Sequence, residues 1–499
     1  SEDLPDPDRP VITTSRLRGT SRLMFFRLWV RAPLTRIDSM RSKTNRLIYP
    51  VANAHVMPPQ SPDSPVGADP AAGLRASQPA RDPPRAAGGR RGRSRATAAT
   101  RDPMTPGELR ASVSLASIFA LRMLGLFLIL PVFAVHARTL PGGDDATLIG
   151  LALGVYGLTQ GLLQIPFGMA SDRLGRKRVI VFGLLLFAAG SFVAAGAHDL
   201  VTTILGRAVQ GAGAISAAVT AFIADSTRDS QRTKAMALVG ASIGLTFALS
   251  LVGAPLLYGA IGMGGIFALT GLLALAAIGV VTVVTPPAPL AAPAAGAART
   301  PFVAIALEPD LLRLNVGIFV LHAVQMAMFV VLPTWLADRG GLALGDHWKL
   351  YLPVVLLSFA LMMPPLMWSE RNGRLRGLFL GAVALLLAVQ LVLAVQPAGL
   401  VPFAALLLGF FVGFNVLEAS LPSLVSRLAP PDAKGAALGI YNTTQAFGLF
   451  FGGLLGGWVQ QGWGRSAVFA ACAALMALWL LVAAGQRRWP QAPRGQAAT

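Results

Sequence analysis

The chain has 499 residues, 54% of them hydrophobic and only 13% charged. Soluble domains carry about 25% charged residues, so the composition excludes an ordinary soluble protein before any motif is read. The formal net charge is +19, while one cysteine and five scattered histidines exclude a disulfide framework and any metal-ligand spacing.

Residues 1–104 hold 18 Lys/Arg against 9 Asp/Glu and are rich in Pro, Arg, Ala and Ser. No helical or strand period persists there, so this stretch is predicted to be a disordered basic extension. Three origins stay open: a tail for phosphate or anionic lipid, an organellar presequence over 13–47, or an over-extended start. The last is the expected one, because the chain does not begin with Met and Met104 stands just before the first apolar run. A basic balance alone does not separate nucleic acid from an anionic membrane surface; in a chain this apolar, no nucleic-acid partner is expected.

From residue 111 the apolar runs are each about 20 residues, enough to cross a hydrocarbon core of about 30 Å. Twelve spans are predicted, at about 111–137, 147–170, 178–197, 200–224, 235–258, 262–284, 312–336, 349–368, 377–396, 400–424, 435–459 and 465–485. They must be helices, because unpaired backbone amides cannot face lipid and barrel strands would alternate in polarity. With the N-terminus inside, the loops and ends after residue 104 carry 18 Lys/Arg on the inner side and four on the outer. That bias predicts both termini in the cytoplasm.

The Pro- and Ala-rich break at 286–310 divides the apolar body into six spans and six. Three pairs of anchors relate the halves at nearly equal offsets. Leu130-Pro131 matches Leu332-Pro333, Lys234–Leu238 resembles Lys434–Leu438, and the charged turn around Asp172 returns around Glu370. Parallel six-span repeats are an architecture of duplicated transporters. The predicted fold is an all-α membrane protein, with twelve transmembrane helices in two pseudo-symmetric six-helix bundles. The bundles are expected at 105–285 and 311–485, joined by a cytoplasmic loop at 286–310 and followed by a cytoplasmic tail at 486–499.

Four motifs then point to one family. Gly168-x3-Asp172-Arg173-x-Gly175-Arg176-Lys177 resembles the loop 2–3 signature of the major facilitator superfamily. Arg207-x2-Gln210-Gly211-x-Gly213 in span 4 resembles the arginine motif of its proton-coupled members. Gly244-x8-Gly253-Ala254-Pro255 in span 5 resembles the antiporter motif, although Ala254 separates the Gly and Pro that normally adjoin. The runs Leu121–Phe133, Leu314–His322 and Phe414–Ser426 resemble the YajR-type inner-membrane branch of that family. Only 14 residues follow residue 485, so the ferredoxin-like domain that some members carry there is not expected.

The resemblance implies a secondary transporter working by alternating access in a bacterial cytoplasmic (inner) membrane. It is expected to be monomeric and to take a small-molecule substrate, protons and lipid as partners. No cofactor is expected, the proton gradient being the energy source. Proton-coupled efflux of amphipathic or drug-like molecules is the expected activity; solute uptake by symport and a transporter-fold sensor without flux are the alternatives. The sequence offers no nucleophile–base pair or phosphate-cradling loop, so no enzyme or ATP-driven pump is expected.

In the family, the Asp matching Asp172 faces the positive N-terminal end of the eleventh helix, which begins here near Gly435. Arg176 is expected to pair with Asp225, and both contacts are expected only when the cytoplasmic side is closed. The plainer alternative is a topology anchor that needs only cations. The copy at 370–376 has Leu366 where the first has Gly168, so it is expected mainly to anchor.

Arg122 and Arg207 lie inside spans, where an arginine costs about 2.5–3.5 kcal/mol on insertion scales, so they should face the bundle interior or a water-filled cavity. Glu418 is the one acid well inside a span and the first candidate for proton binding; bracing helix packing is its alternative role. Asn415 lies on the same helical face three residues earlier. His322 and Gln325, also three apart, are expected to hydrogen-bond between helices or touch substrate, and His136 to reach the interface. Phe319, Phe329, Trp335, Phe410, Phe411 and Phe414 are candidates for an apolar pocket or for ordinary core and lipid contacts.

Overall fold

The computed structural model describes residues 103–287, 301–395, 398–430 and 433–489. The basic extension, apart from its last two residues, therefore lies outside the described residues. So do 288–300 of the expected linker and 490–499 of the expected tail. Among the described residues every regular element is helical.

The first helix starts earlier than its apolar run because a capping box precedes it. Thr105 Oγ1 accepts from the Glu108 N–H at 3.2 Å, and Glu108 Oε2 accepts from the Thr105 N–H at 2.8 Å. The span runs Pro106–Phe127 and resumes as Leu130–Ala137. Pro131 accounts for the break, since it has no N–H to return to the preceding turn.

Ten stretches among the described residues are long and apolar enough to cross a membrane, and two of them, Lys234–Val284 and Lys434–Ala484, contain 51 residues. At 1.5 Å per residue each would extend about 76 Å, more than twice the hydrocarbon core. Each carries one glycine with left-handed, non-helical backbone, Gly262 at φ 65° and Gly464 at φ 79°. A side chain is strained at that φ, so glycine is the residue that lets the chain reverse there. Divided at these glycines, the ten stretches supply twelve crossings. The short loops expected near 259–261 and 460–464 are thus corrected to single-residue hinges, legible only as blurred ends in a Gly-rich sequence.

The other crossings are Ala146–Leu174 (span 2), Arg176–Ala195 (span 3), Leu200–Ser226 (span 4), Pro309–Asp338 (span 7), Leu344–Asn372 (span 8), Leu375–Ala394 (span 9) and Leu400–Leu428 (span 10). Spans 5 and 6 meet at Gly262, and spans 11 and 12 at Gly464. The expected linker is not all loop, because Phe302–Ala306 forms a short helix before span 7. The ends that carry Asp172–Arg178 are here the basic end; the opposite ends are the far end.

Two apolar clusters show how the halves sit together. One is continuous from span 7 to span 12 and takes in far-end residues of spans 1 to 6, including Leu130, Leu153, Ala194, Leu200, Phe247 and Phe267. The other fills the basic-end part of the first half and is drawn from Leu115–Val281 alone. The halves therefore share a core at the far end and pack separately toward the basic end. Spans 2 and 11 make the closest approach: Gly150 and Gly154 lie against Gly453 and Phe450 backbone, and Gly157 against Ala446. Nearer the basic end, a side chain on Gly168 would meet only Ala217 of its own half, and Gly435 and Gly439 have open space around them.

Candidate functional site

The charged turn is built around Arg176. Its Nε donates to Asp225 Oδ2 at 2.8 Å, and its Nη1 donates to Ser171 Oγ at 2.7 Å and lies 2.5 Å from Asp172 Oδ1. Gly175, at φ 95°, makes the reversal that brings Arg176 back over the end of span 2. The Arg176 side chain is 14% exposed and that of Asp172 63% exposed. Asp172 is thus open at the basic end, and Gly435 at the start of span 11 has open space around it. Arg176–Asp225 joins two elements of one half and persists in this arrangement.

Lys177 Nζ donates to Thr285 O just beyond span 6, and Arg110 Nε donates to Val284 O at 2.9 Å. In the second half Arg376 Nη2 donates to Ala484 O at the end of span 12, at 3.4 Å. Cations at a helix C-terminus meet its unpaired carbonyls and the negative end of its dipole. The weaker copy therefore repeats the contact that the first turn makes with the end of a span. Arg173 and Glu370 are exposed.

Both intramembrane arginines are buried in the first half. Arg122 donates to Ser216 Oγ at 2.9 Å and Gln160 Oε1 at 3.0 Å. Arg207 donates to the backbone carbonyls of Ala152 and Leu153, each at 3.2 Å, and to Gln210 Oε1 at 2.8 Å. Gln210 in turn donates to Ser191 Oγ at 2.9 Å. The Tyr156 ring stands 5.7 Å from the Arg122 guanidinium carbon and 5.2 Å from that of Arg207. Neutral acceptors and a shared aromatic face hold both cations. Gly211 and Gly213 allow this packing, because a side chain at either would strike Tyr156 or Gly183 backbone.

A second polar cluster joins spans 7, 10 and 11 in the other half. His322 Nδ1 lies 3.2 Å from Ile318 O, and Gln445 Nε2 lies 2.7 Å from His322 Nε2. This geometry fits a proton on Nδ1 with Nε2 accepting from the amide. Gln445 Nε2 also reaches Glu418 Oε1 at 3.5 Å, and Glu418 Oε2 is 3.8 Å from His322 Nε2. The Glu418 side chain is 33% exposed, yet Oε2 and the nearby buried Tyr441 hydroxyl find no hydrogen-bond partner among the described residues. Asn415 instead donates to Ser358 Oγ on span 8 at 3.1 Å. Gln325 is buried on span 7, one turn beyond His322.

Aromatic rings adjoin this cluster and bridge the halves. Phe414 lies 5.8 Å from the His322 ring, and Phe247 of span 5 packs on Phe411, Phe414 and Phe329 at 6.0, 6.1 and 6.5 Å. Trp335 stacks on Phe403 and Phe319 lies beside Phe451, so these two are packing residues. Gly244 and Gly253 have open space around them, and Pro255 is buried in span 5 without breaking it. His136 bonds to the Tyr258 hydroxyl at 3.1 Å rather than reaching outward alone.

Sequence reasoning missed Gln445, Tyr156, Gln160 and the far-end polar seam. At that seam Arg138 Nη1 is 3.0 Å from Asp338 Oδ2, Arg465 bonds the same carboxylate oxygen, and the Ala146 N–H donates to Gln461 Oε1 at 2.7 Å. Arg138 and Asp338 are 200 positions apart, close to the repeat offset, and that was the signal available.

A sequence model of the Major Facilitator Superfamily matches residues 115–448 and 354–497. The inner membrane transport protein YajR of Escherichia coli is 43% identical over 396 residues, covering 78% of this chain and 85% of that protein. The multidrug resistance protein MdtH of Aeromonas hydrophila is 26% identical over 349 residues, covering 67% of this chain and 82% of MdtH. Among solved structures, an inward-facing bacterial homologue of the human lysosomal transporter Spinster superposes with a TM-score of 0.62 at 13% identity. It covers 76% of this chain and 96% of that one.

Proposed function

The chain belongs to the major facilitator superfamily of membrane transporters, and on that premise we propose that it exports small amphipathic or drug-like molecules in exchange for protons. The bacterial inner membrane is its proposed site, with both termini cytoplasmic, as in the name of the YajR relative and the excess of Lys/Arg at the basic end. The resistance protein MdtH favours efflux. The monomer is the proposed working unit, its halves 105–285 and 311–485 rocking as bundles about the substrate.

One observation carries the reading. A partly exposed carboxylate, Glu418, stands with His322 and Gln445 beside aromatic rings that belong to both halves. An ionisable group inside a span is a functional site by default, because its insertion is costly. Here it can take a proton from one side and release it to the other, while the rings hold an apolar substrate body. With the basic end cytoplasmic, the arrangement described is open inward and closed outward.

Flux in proteoliposomes against a panel of amphipathic compounds tests the proposal. An imposed pH gradient is expected to drive uphill movement against the proton flow. Movement with the proton flow would replace antiport by symport, which the Ala254 insertion in the antiporter-like motif leaves as the second reading. Flux indifferent to the gradient would reject coupling.

The charged turn supplies a further prediction. Asp172→Asn keeps the size of the side chain but removes the charge that can meet the start of span 11. Losing a charge-assisted contact of about 1.4 kcal/mol in the closed state lowers transport about tenfold, with insertion and orientation unchanged. Wild-type flux in that variant would reduce the turn to an anchor.

A further inference from the structure

The far end carries an arrangement that the charged turn does not explain. Asp338 closes span 7 and is shared by two arginines. Arg138, just beyond span 1, approaches from the other half at 3.0 and 3.3 Å from the two carboxylate oxygens. Arg465, the first residue after the Gly464 hinge, bonds Asp338 from its own half. The two cations differ in their freedom: the Arg138 side chain is 38% exposed and that of Arg465 is 15% exposed. Beside them the Ala146 N–H, an unpaired donor in the first turn of span 2, is met by Gln461 Oε1 from span 11.

We propose that Asp338 is the latch of the outer seam, with Arg138 its releasable arm and Arg465 a positioning residue that keeps the carboxylate in place while the halves part. The proposal rests on the alternating-access reading above. Its physical basis is the sharing. The Asp338 side chain is 42% exposed, so opening costs it the contact to Arg138 rather than its hydration, whereas a carboxylate with no partner across the seam would not hold the halves at all. With Arg465 retained, opening breaks one partly screened ion pair and one hydrogen bond to a group that water can then satisfy. The seam is therefore strong enough to bias the equilibrium and weak enough to open in each cycle. Arg138 stands just beyond span 1 and Asp338 at the last residue of span 7, so the latch joins near-equivalent positions of the repeat.

Spin-label distances in lipid nanodiscs test this without any substrate. Labels go at Thr139→Cys and Ala343→Cys, on opposite halves at the far end, with buried Cys472 changed to Ser. The short far-end distance is expected to dominate in the otherwise native chain. Arg138→Gln and Asp338→Asn should each raise the long-distance population by about two- to fivefold, the range of a partly screened pair. Arg138→Lys, which keeps the charge, should restore most of the short distance. Raising salt from low to molar concentration should lengthen the distance in the native chain and leave Arg138→Gln unmoved. Unchanged distances in both neutral variants, or an equal salt response with and without Arg138, would overturn the latch. A chain that passes this test but moves no substrate would keep the latch and reject the transport reading.

Discussion

Gly150→Val will hold the two halves apart at the far end and stop the transport cycle. A Cβ at Gly150 would overlap the carbonyl oxygen of Gly453 and sit 2.9 Å from the Gly457 Cα. Those neighbours are helix backbone, which cannot rotate away as a side chain does. The helices must separate, and the reciprocal contacts of Gly453, Gly154 and Gly157 separate with them. Overpacking of about 3 kcal/mol, the upper part of its usual range, corresponds to about a hundredfold loss of the far-closed population. The first half keeps a separate core toward the basic end, away from this contact, so membrane insertion should persist. Flux and the far-end label distance give the readout, with Gly377→Ala as control, since that glycine has open space around it. Normal flux in Gly150→Val would mean that spans 2 and 11 never come this close during the cycle.

Glu418→Gln will remove uphill transport while leaving exchange. The amide keeps the volume of the carboxylate and can still meet Gln445, now 3.5 Å from Oε1, but it cannot carry a proton. One proton moved down 100 mV supplies about 2.3 kcal/mol, or about a fiftyfold concentration ratio, and that accumulation should disappear. Counterflow of labelled against unlabelled substrate needs no proton and should continue. Accumulation retained in Glu418→Gln would move the coupling role elsewhere, with His322, 3.8 Å away, the first residue to test next.

The two polar clusters were legible to different degrees. Arg122, Arg207 and Glu418 stand out because charge is costly in lipid and therefore rare there. Their partners do not stand out. Gln160, Gln210 and Gln445 are ordinary residues in a chain, and only the crossing of helices turns them into hydrogen-bond partners. Phe247 shows the same limit: among 25 phenylalanines nothing local marks the one that reaches across to Phe411 and Phe414. The charged turn was the reverse case. Arg176 and Asp225 could be paired from motif knowledge, whereas the contact of Arg176 with Ser171 needed the structure.

The sequence by itself determined the class of molecule. Composition pointed to a membrane, run length marked the candidate spans, and the motifs pointed to the family. These are properties of local chemistry in lipid: every buried backbone group must be paired within its own segment, so each span can be read alone. Tertiary structure decided which spans touch and at which end. Apolar surfaces are interchangeable in a bilayer, so periodicity leaves helix rotation almost free; shape then selects. The small residues at Gly150, Gly154 and Gly453 let two helices meet at the far end, and the shared carboxylate of Asp338 lies between arginines 200 and 127 positions away in sequence.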